Sequence, residues 1–397
     1  MVCMVRDITQ QILYMHSSKG GLMNKYIKRV ISILLLFVII FGIMSYTQVR
    51  FDHNNVRIEG FYREERNTID VVFIGASEVY SDYSPVYAYE KFGYTSYNYA
   101  VEDNPLPLYK WELDEIYAHQ NPKLVVIELT AATSDRDSAK KPDVFDASLR
   151  KISDSVPTSL SKCSLVNDYG KNNNWESYFF PPVMYHGSIP KIGLAKEIIG
   201  FQIRGYSYLK GAVTHTNSID CKNEELYKIN GDDTQQPTSK NQEKILLELL
   251  EHCKTKNYNV LFTRFPHRVE SKEKYRRYCE GNYIADLVKE YGFDYLDFEH
   301  VLETIGVDRI EDFADGEHLR ADGSKQFTEY IGKVLTDHYG ITQTNLNIEN
   351  MQRWDKCVKY INGFYEYYSQ VKDGESDLFL YENGITLTKI EERFENN

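Results

Sequence analysis

Four short runs, three of them rich in aliphatic and β-branched residues and the fourth partly aromatic, most constrain how this chain can fold; segments with helical spacing separate them. Runs this short and this apolar are typical of strands buried on both faces of a parallel sheet. They cover residues 69–75, 123–129, 259–263 and 293–297. The intervening segments predict helices over residues 85–92, 108–119, 241–256, 275–291 and 324–339. The alternation predicts an α/β protein with a three-layer α/β/α architecture and a doubly wound parallel sheet.

The predicted α/β domain covers residues 69–340 and contains a long insertion, residues 134–240, without a clear period. Such an insertion is typical of a lid or subdomain. Residues 341–397 form a C-terminal extension with one helical pattern near residues 355–368. In doubly wound folds the sites lie beyond the carboxyl ends of the strands, so candidate residues are sought there.

An uncharged run of 17 residues, Val30–Tyr46, precedes this domain and is near the short limit for a membrane-spanning helix. Basic residues occur at positions 25, 28 and 29 just before it, and Asp52 follows. The positive-inside rule then predicts a single-pass anchor in the cell membrane, with the N-terminus in the cytoplasm and the domain outside. A cleaved secretory signal is the alternative, but the residues after the run lack a small-residue cleavage site. Residues 47–68 are expected to form a stalk.

The segment before the run has two interpretations. A typical anchor would begin at Met23, with residues 23–29 as its cytoplasmic basic flank. Residues 1–22 are then either a cytoplasmic tail or an artefact of an upstream start site, so both Met1 and Met23 are candidate starts.

The net charge of −12 argues against a nucleic-acid partner, because phosphate binding requires clustered Lys and Arg. The six cysteines lack the Cys-x-x-Cys and His spacings of zinc sites, so we expect neither a metal nor a cofactor. Their disulfide state stays open.

Three residues have the types and places that nucleophilic catalysis needs. Ser77 follows the first predicted strand, at a strand-to-helix turn where its own amide can help to bind an oxyanion. Asp315 and His318 precede the last predicted helix, so His318 can accept the serine proton while Asp315 orients the imidazole. The alternatives are a helix-capping serine, a surface histidine and a solvated loop carboxylate.

Three blocks of the sequence resemble the SGNH/GDSL hydrolase superfamily. They read DVVFIGASEVYSDYSPVYAYEKFGYTSYNYA, QNPKLVVIELT and DGEHLRADGSKQFTEYIG, and the resemblance spans most of residues 30–340. Within it they are similar to the membrane-anchored extracytoplasmic group of Gram-positive bacteria, akin to the D-alanyl transfer protein of lipoteichoic acid synthesis and to alginate O-acetylation proteins. The resemblance implies that Ser77 is the nucleophile, His318 the base and Asp315 its orienting partner.

The other site residues follow less directly. Hydrolases of this family usually bind the oxyanion with a glycine amide and an asparagine side chain. Here the candidate for the amide is Ala100 and the candidate for the side chain is Asn104, with Asn98 as its competitor. His186 resembles a Tyr-His element of the anchored group and could line the acceptor side, although a buried structural histidine is the alternative. Arg264 ends the third predicted strand and could bind an anionic glycan, although an ion pair with a nearby acid is the alternative.

Three functions remain open. The first is an extracytoplasmic serine O-acyltransferase that forms an acyl-Ser77 intermediate and acylates hydroxyl groups of an envelope polysaccharide or teichoic acid. Tethering favours it, because a membrane-bound O-acyltransferase partner would need this chain nearby. The second is an esterase or deacylase of the same polymers. The third is a non-catalytic scaffold that binds them.

Overall fold

A computed structural model of the chain describes residues 25–48, 53–133, 142–170, 175–180, 200–216, 226–229, 231–370 and 379–380. The chain divides into two compact units, residues 1–46 and residues 47–397.

The second unit is built on a parallel five-stranded sheet, which confirms the predicted α/β class. Its strands follow the order β2-β1-β3-β5-β6. They are β1 (Val71–Gly75), β2 (Ser96–Ala100), β3 (Leu124–Glu128), β5 (Val260–Arg264) and β6 (Tyr295–Asp297). Because β1 pairs with β2 on one side and β3 on the other, the chain reverses its direction of winding between β1 and β3. Ligands of doubly wound sheets bind at this switch point.

Helices precede, connect and follow the strands. Helix α1 (Lys25–Gln48) lies in the first unit up to residue 46. The second contains α2 (His53–Arg63), α3 (Ser77–Asp82), α4 (Pro85–Phe92), α5 (Tyr109–His119), α6 (Pro142–Ser153), α7 (Leu160–Tyr169), α8 (Glu176–Phe179), α9 (Lys240–Lys256), α10 (Lys272–Glu290), α11 (Leu302–Ile305), α12 (Ala321–Asp337) and α13 (Ile348–Gln370). A small antiparallel pair joins β4 (Thr214–His215) to β7 (Phe379–Leu380).

Alternating side chains of the strands enter two separate cores, so helices cover both faces of the sheet. Val72 and Val125 belong to one core, with residues from α2, α5, α9, α10 and α13. Phe73 and Val126 belong to the other, with residues from α3, α4, α11 and α12. This two-residue period follows from strand geometry. Because all five strands are parallel, their carboxyl ends lie at the same edge of the sheet.

Local signals explain why the predicted helices start and end where they do. Ser84 accepts a hydrogen bond from the amide of Tyr87, Pro85 occupies the first turn of α4, and Gly93 ends it with a left-handed φ of 81°. Ser239 and Ser271 accept from backbone amides in the first turns of α9 and α10 in the same way.

Two predicted boundaries need correction. Helix α2 lies within the predicted stalk, and its Ile58 and Phe61 are fully buried in the core, so this part of the segment belongs to the domain. Helix α13 lies within the predicted C-terminal extension and buries Trp354 and Phe364 in the same core. Both segments have mixed composition, and the contacts that order them are distant in sequence.

The apolar N-terminal run lies in α1, whose 24 residues form a continuous helix. Within the portion of the chain covered by the structure, no helix has the length and apolarity required for a membrane crossing. Of the predicted anchor Val30–Tyr46, the structure describes no side chain after residue 42. The two interpretations of residues 1–22 concern residues outside the described part of the chain.

Candidate active site

Ser77 lies at the switch point of the sheet, as the first residue of α3 directly after β1. The turn is tight, since a Cβ atom added to Gly75 would lie 2.4 Å from Cγ2 of Val79. Ala76, which precedes the helix, has no side-chain oxygen to cap the amides of its first turn. Ser77 is 8% exposed, and its hydroxyl donates to Oε2 of Glu78 over 3.4 Å.

His318 and Asp315 form the hydrogen-bonded pair that the sequence predicts. Nδ1–H of His318 donates to Oδ2 of Asp315 over 2.7 Å. Oδ1 of Asp315 accepts from the backbone amides of Glu317 and His318 at 2.8 and 2.9 Å, which fixes the carboxylate. Within the described part of the chain, Nε2 of His318 is buried and has no hydrogen-bond partner. Of the two ring nitrogens of His318, Nε2 is therefore the one that Asp315 does not engage.

The electrostatics of the pair favour a protonated imidazole. Burial alone would lower the pKa of His318, but Asp315, followed by Glu78 and Asp82, raises that pKa to about 9. Burial alone would raise the pKa of Asp315, but His318 and the two backbone amides lower that pKa to about 2. The pair is thus an imidazolium and a carboxylate at neutral pH.

A direct tie joins the loop of His318 to the helix that Ser77 begins. The amide of Leu319 donates to Oδ1 of Asp82, the last residue of α3, over 2.8 Å. The hydroxyl of Ser324 donates to the carbonyl of Asp82 over 3.0 Å. Ser77, Asp315 and His318 thus lie in two connected segments at one edge of the sheet. In this structure the serine hydroxyl contacts Glu78 instead of His318, and such contacts often tighten only when substrate binds.

Both asparagine candidates for the oxyanion site donate hydrogen bonds to backbone carbonyls in this structure. Nδ2 of Asn104 donates to the carbonyl of Gly75 at 3.1 Å and to Glu112 at 3.0 and 3.2 Å, which occupies both of its hydrogens. Asn98 donates to the carbonyls of Val79 and Tyr83. The predicted oxyanion role of Asn104 is therefore not met by this geometry. Ala100 pairs with Gly75 in the sheet, next to the turn, and its role stays a prediction.

The prediction that Arg264 faces an anionic glycan needs correction. Its guanidinium is buried and donates to both carboxylate oxygens of Asp297, to Oδ1 of Asn282 and to the carbonyl of Tyr278. Burial alone would lower its pKa, but Asp297 and Glu299 raise it. The ion-pair alternative is what the structure shows. His186 lies outside the described residues.

A cluster of buried charged residues next to Ser77 escaped the sequence interpretation. Nδ1 of His267 lies 2.7 Å from Oε1 of Glu299, and Nε2 of His267 lies 3.6 Å from Oε1 of Glu78. Burial and the charge of Glu78 raise the pKa of Glu128, at the end of β3, to about 7. Their position in the sequence could have identified them, because each of these residues lies at or just after the carboxyl end of a strand.

A second imidazole, from the predicted insertion, covers His318. The rings of His215 and His318 stack with their centroids 5.4 Å apart and an interplanar angle of 19°. Nε2 of His215 and the hydroxyl of Ser81 share a hydrogen bond of 2.9 Å. No sequence signal marked His215, because its neighbour is about a hundred positions away.

Neither the protein-family models nor the curated proteins compared with this chain match it. The case for its function therefore depends on the residues and the geometry described above.

Proposed function

We propose that the chain is an extracytoplasmic serine O-acyltransferase of the SGNH/GDSL type, which acts through an acyl-Ser77 intermediate. The observation that carries this proposal is the bonded His318–Asp315 pair, whose Nε2 lacks a partner among the described residues, in a loop tied to the helix that Ser77 begins. In this proposal Asp315 holds the imidazole, and the amide of Ser77 at the strand-to-helix turn helps to bind the developing oxyanion.

In this mechanism the hydroxyl of Ser77 first rotates from Glu78 towards His318. Its oxygen attacks the acyl carbonyl while Nε2 of neutral His318 takes the proton. The leaving group departs with that proton, and Ser77 carries the acyl group as an ester. An acceptor hydroxyl then gives its proton to Nε2 of His318 and attacks the ester carbonyl. The acyl–Ser77 bond breaks, the acceptor leaves acylated, and His318 returns the proton to the oxygen of Ser77.

The pKa of about 9 for His318 sets the pH dependence of the first step. A base must be unprotonated to accept a proton, so acylation of the free enzyme should accelerate as pH rises from 7 to 9. At neutral pH only a small fraction of the resting enzyme is competent unless substrate binding lowers this pKa.

The proposed place and partners come from the N-terminal sequence. An uncharged run of 17 residues after a basic flank supports a single-pass membrane anchor with the domain outside. A tether raises the effective concentration near a membrane-bound O-acyltransferase partner, which suits transfer better than scavenging hydrolysis. The acceptor is then a hydroxyl group of an envelope glycan or a teichoic acid.

A non-catalytic scaffold that binds the same polymers is the second candidate. Two observations favour it: the hydroxyl of Ser77 contacts Glu78, and both hydrogens of Asn104 are occupied by Gly75 and Glu112. An esterase of the same polymers would use the catalytic residues in the same roles, with water as acceptor.

The experiment is covalent labelling of the full chain with a fluorophosphonate. We expect labelling of the wild type, none of Ser77→Ala and at least about a hundredfold slower labelling of His318→Gln. Ser164→Ala removes an exposed hydroxyl that contacts Asp168 and should label like the wild type. Folded wild type that resists the reagent, or equal labelling of Ser77→Ala, would overturn the enzymatic proposal in favour of the scaffold. Transfer of a labelled acyl group to added polymer, against release to water, separates transferase from esterase.

A further inference from the structure

The buried cluster beside Ser77 contains four acidic side chains and one histidine. Glu78 and Asp82 on α3 and Glu128 at the end of β3 are fully buried, and Glu299, which follows β6, is 4% exposed. His267, 7% exposed, lies between Glu78 and Glu299. Charges removed from water in this way rarely add stability, because desolvation offsets their attraction. Groups kept at such a cost are candidates for function.

The contacts connect this cluster to the serine. The hydroxyl of Ser77 donates to Oε2 of Glu78, and Oε1 of the same carboxylate faces Nε2 of His267. His267 is held from its other side by Glu299, which lies 3.5 Å from Nε of Arg264. A continuous chain of charged groups thus runs from the candidate nucleophile to the ends of β5 and β6.

We propose that Glu78 and His267 are positioning residues of the seryl site: Glu78 holds the resting hydroxyl of Ser77, and His267 balances the negative charge that Glu78 directs at His318. This inference deepens the proposed function and depends on it. Glu78 acts on both imidazoles, so a change in the charge of either Glu78 or His267 should alter how readily His318 gives up its proton.

The groups around the two imidazoles define the expected signs. His318 faces Asp315 on its own loop, Glu78 and Asp82 on α3, and the ring of His215 on β4. His267 faces Glu78, Asp82, Glu128 and Glu299, and it shares a narrow crevice with Lys274 and Arg277, which pair with Glu270 and Glu317. Burial alone would lower the pKa of His267, but Glu299 and Glu78 raise it well above its usual value. His267 is therefore the positive charge that offsets Glu78.

The test measures the rate constant of fluorophosphonate labelling of the full chain between pH 5 and pH 10. Glu78→Gln removes a negative charge near His318, so the rise of rate with pH should move to lower pH by about one unit or more. His267→Gln removes the compensating positive charge, so the rise should move to higher pH. The double variant E78Q/H267Q removes both charges and should return the rise towards its wild-type position. Glu299 then keeps Arg264 as its cationic neighbour.

The control is His252→Gln, which breaks a similar histidine contact, 2.8 Å from Nε2 to Asp114, between the remote helices α9 and α5. It should leave the profile unchanged. A cluster that served stability alone would lower the rate of each single variant by the same factor at every pH. That outcome, or shifts of the same sign in Glu78→Gln and His267→Gln, overturns the inference.

A second readout separates this inference from the proposed function. The imidazole signal of His318 can be titrated by NMR in full chain with labelled histidine, assigned with His318→Gln. Opposite shifts of this titration in the two single variants support the coupling even if no reagent reacts with Ser77. An unchanged titration overturns the coupling even if labelling still requires Ser77.

Discussion

The hydrogen bond between His318 and Asp315 couples stability to pH in two directions. The pKa of His318 is raised from 6.5 to about 9, so its contribution is complete below pH 6.5 and disappears as pH rises through 9. The pKa of Asp315 is lowered from 3.8 to about 2, so its contribution is present above pH 3.8 and disappears as pH falls through 2. The pair should therefore stabilise the fold most between pH 3.8 and pH 6.5.

Asp315→Asn tests this coupling. The wild type should exceed the variant in unfolding free energy by about 1 kcal/mol near pH 6, a modest value because the Asp315 side chain is 45% exposed. The difference should shrink by pH 9, as His318 loses its proton. Urea unfolding at pH 6, 7.5 and 9 measures it, with Asp168→Asn on α7 as the control. A difference that grows towards pH 9 would contradict the assignment of charge.

Glu112 should destabilise the fold as pH rises, because burial raises its pKa from 4.5 to about 8. Between these pH values the unfolded chain releases a proton that the folded chain keeps, so the wild type loses stability as pH rises. Glu112→Gln keeps an acceptor for Asn104 without this loss. It should be more stable than the wild type by about 2 kcal/mol at pH 7.5 and equal to it near pH 4.5. Urea unfolding at both pH values decides, and a less stable variant at pH 7.5 would refute the buried neutral acid.

These residues also show what the sequence can reveal of a site. Asp315 and His318 are three positions apart, so their pairing follows from a local pattern. Arg264 and Asp297 are 33 positions apart, and the pairing of β5 with β6 brings His267 close to Glu299. Roles that depend on such distant partners require the folded chain.

At the scale of elements, strong periodicity and caps predicted most strands and helices well. Strand β2 reads SYNYA and has no aliphatic run, so the sequence pattern did not predict it. The six residues of α3 are too few to show a helical period. The polar segment of α2 has the composition of a linker, but in the structure its Phe61 packs against Tyr97 and Tyr99 of β2. Short or polar elements thus became visible only through their tertiary contacts.

The packing of α3 against β1 predicts the effect of Gly75→Ala. The added methyl group would clash with Val79 of α3 at 2.4 Å and press on Cβ of Glu128 at 3.0 Å. The helix must move, which should cost about 1–3 kcal/mol of stability and slow fluorophosphonate labelling of Ser77 by at least about tenfold. Gly200→Ala, where a Cβ meets nothing within 4 Å, is the control. Wild-type labelling in Gly75→Ala would show that the turn tolerates displacement.

At the scale of the whole molecule, the second unit joins segments that the sequence had separated. Trp354 of α13 lies 4.7 Å from the ring of Tyr89 on α4, and Tyr360 stacks on Tyr208 from the predicted insertion. The insertion also supplies His215 to the face of His318. The predicted insertion therefore contributes directly to the candidate site, whereas the C-terminal segment contributes to the core beside the sheet.

The proposed topology makes a prediction for the intact cell. Cys163 on α7 is exposed, whereas Cys253, Cys279 and Cys357 are buried. In a Cys3→Ser, Cys221→Ser background, Cys163 should react with a membrane-impermeant maleimide in intact cells, because the proposed topology puts the domain outside. Adding Cys163→Ser should abolish the reaction. Protection of Cys163 until the cells are lysed would place the domain in the cytoplasm, and transfer of acyl groups to envelope polymers would then have no route.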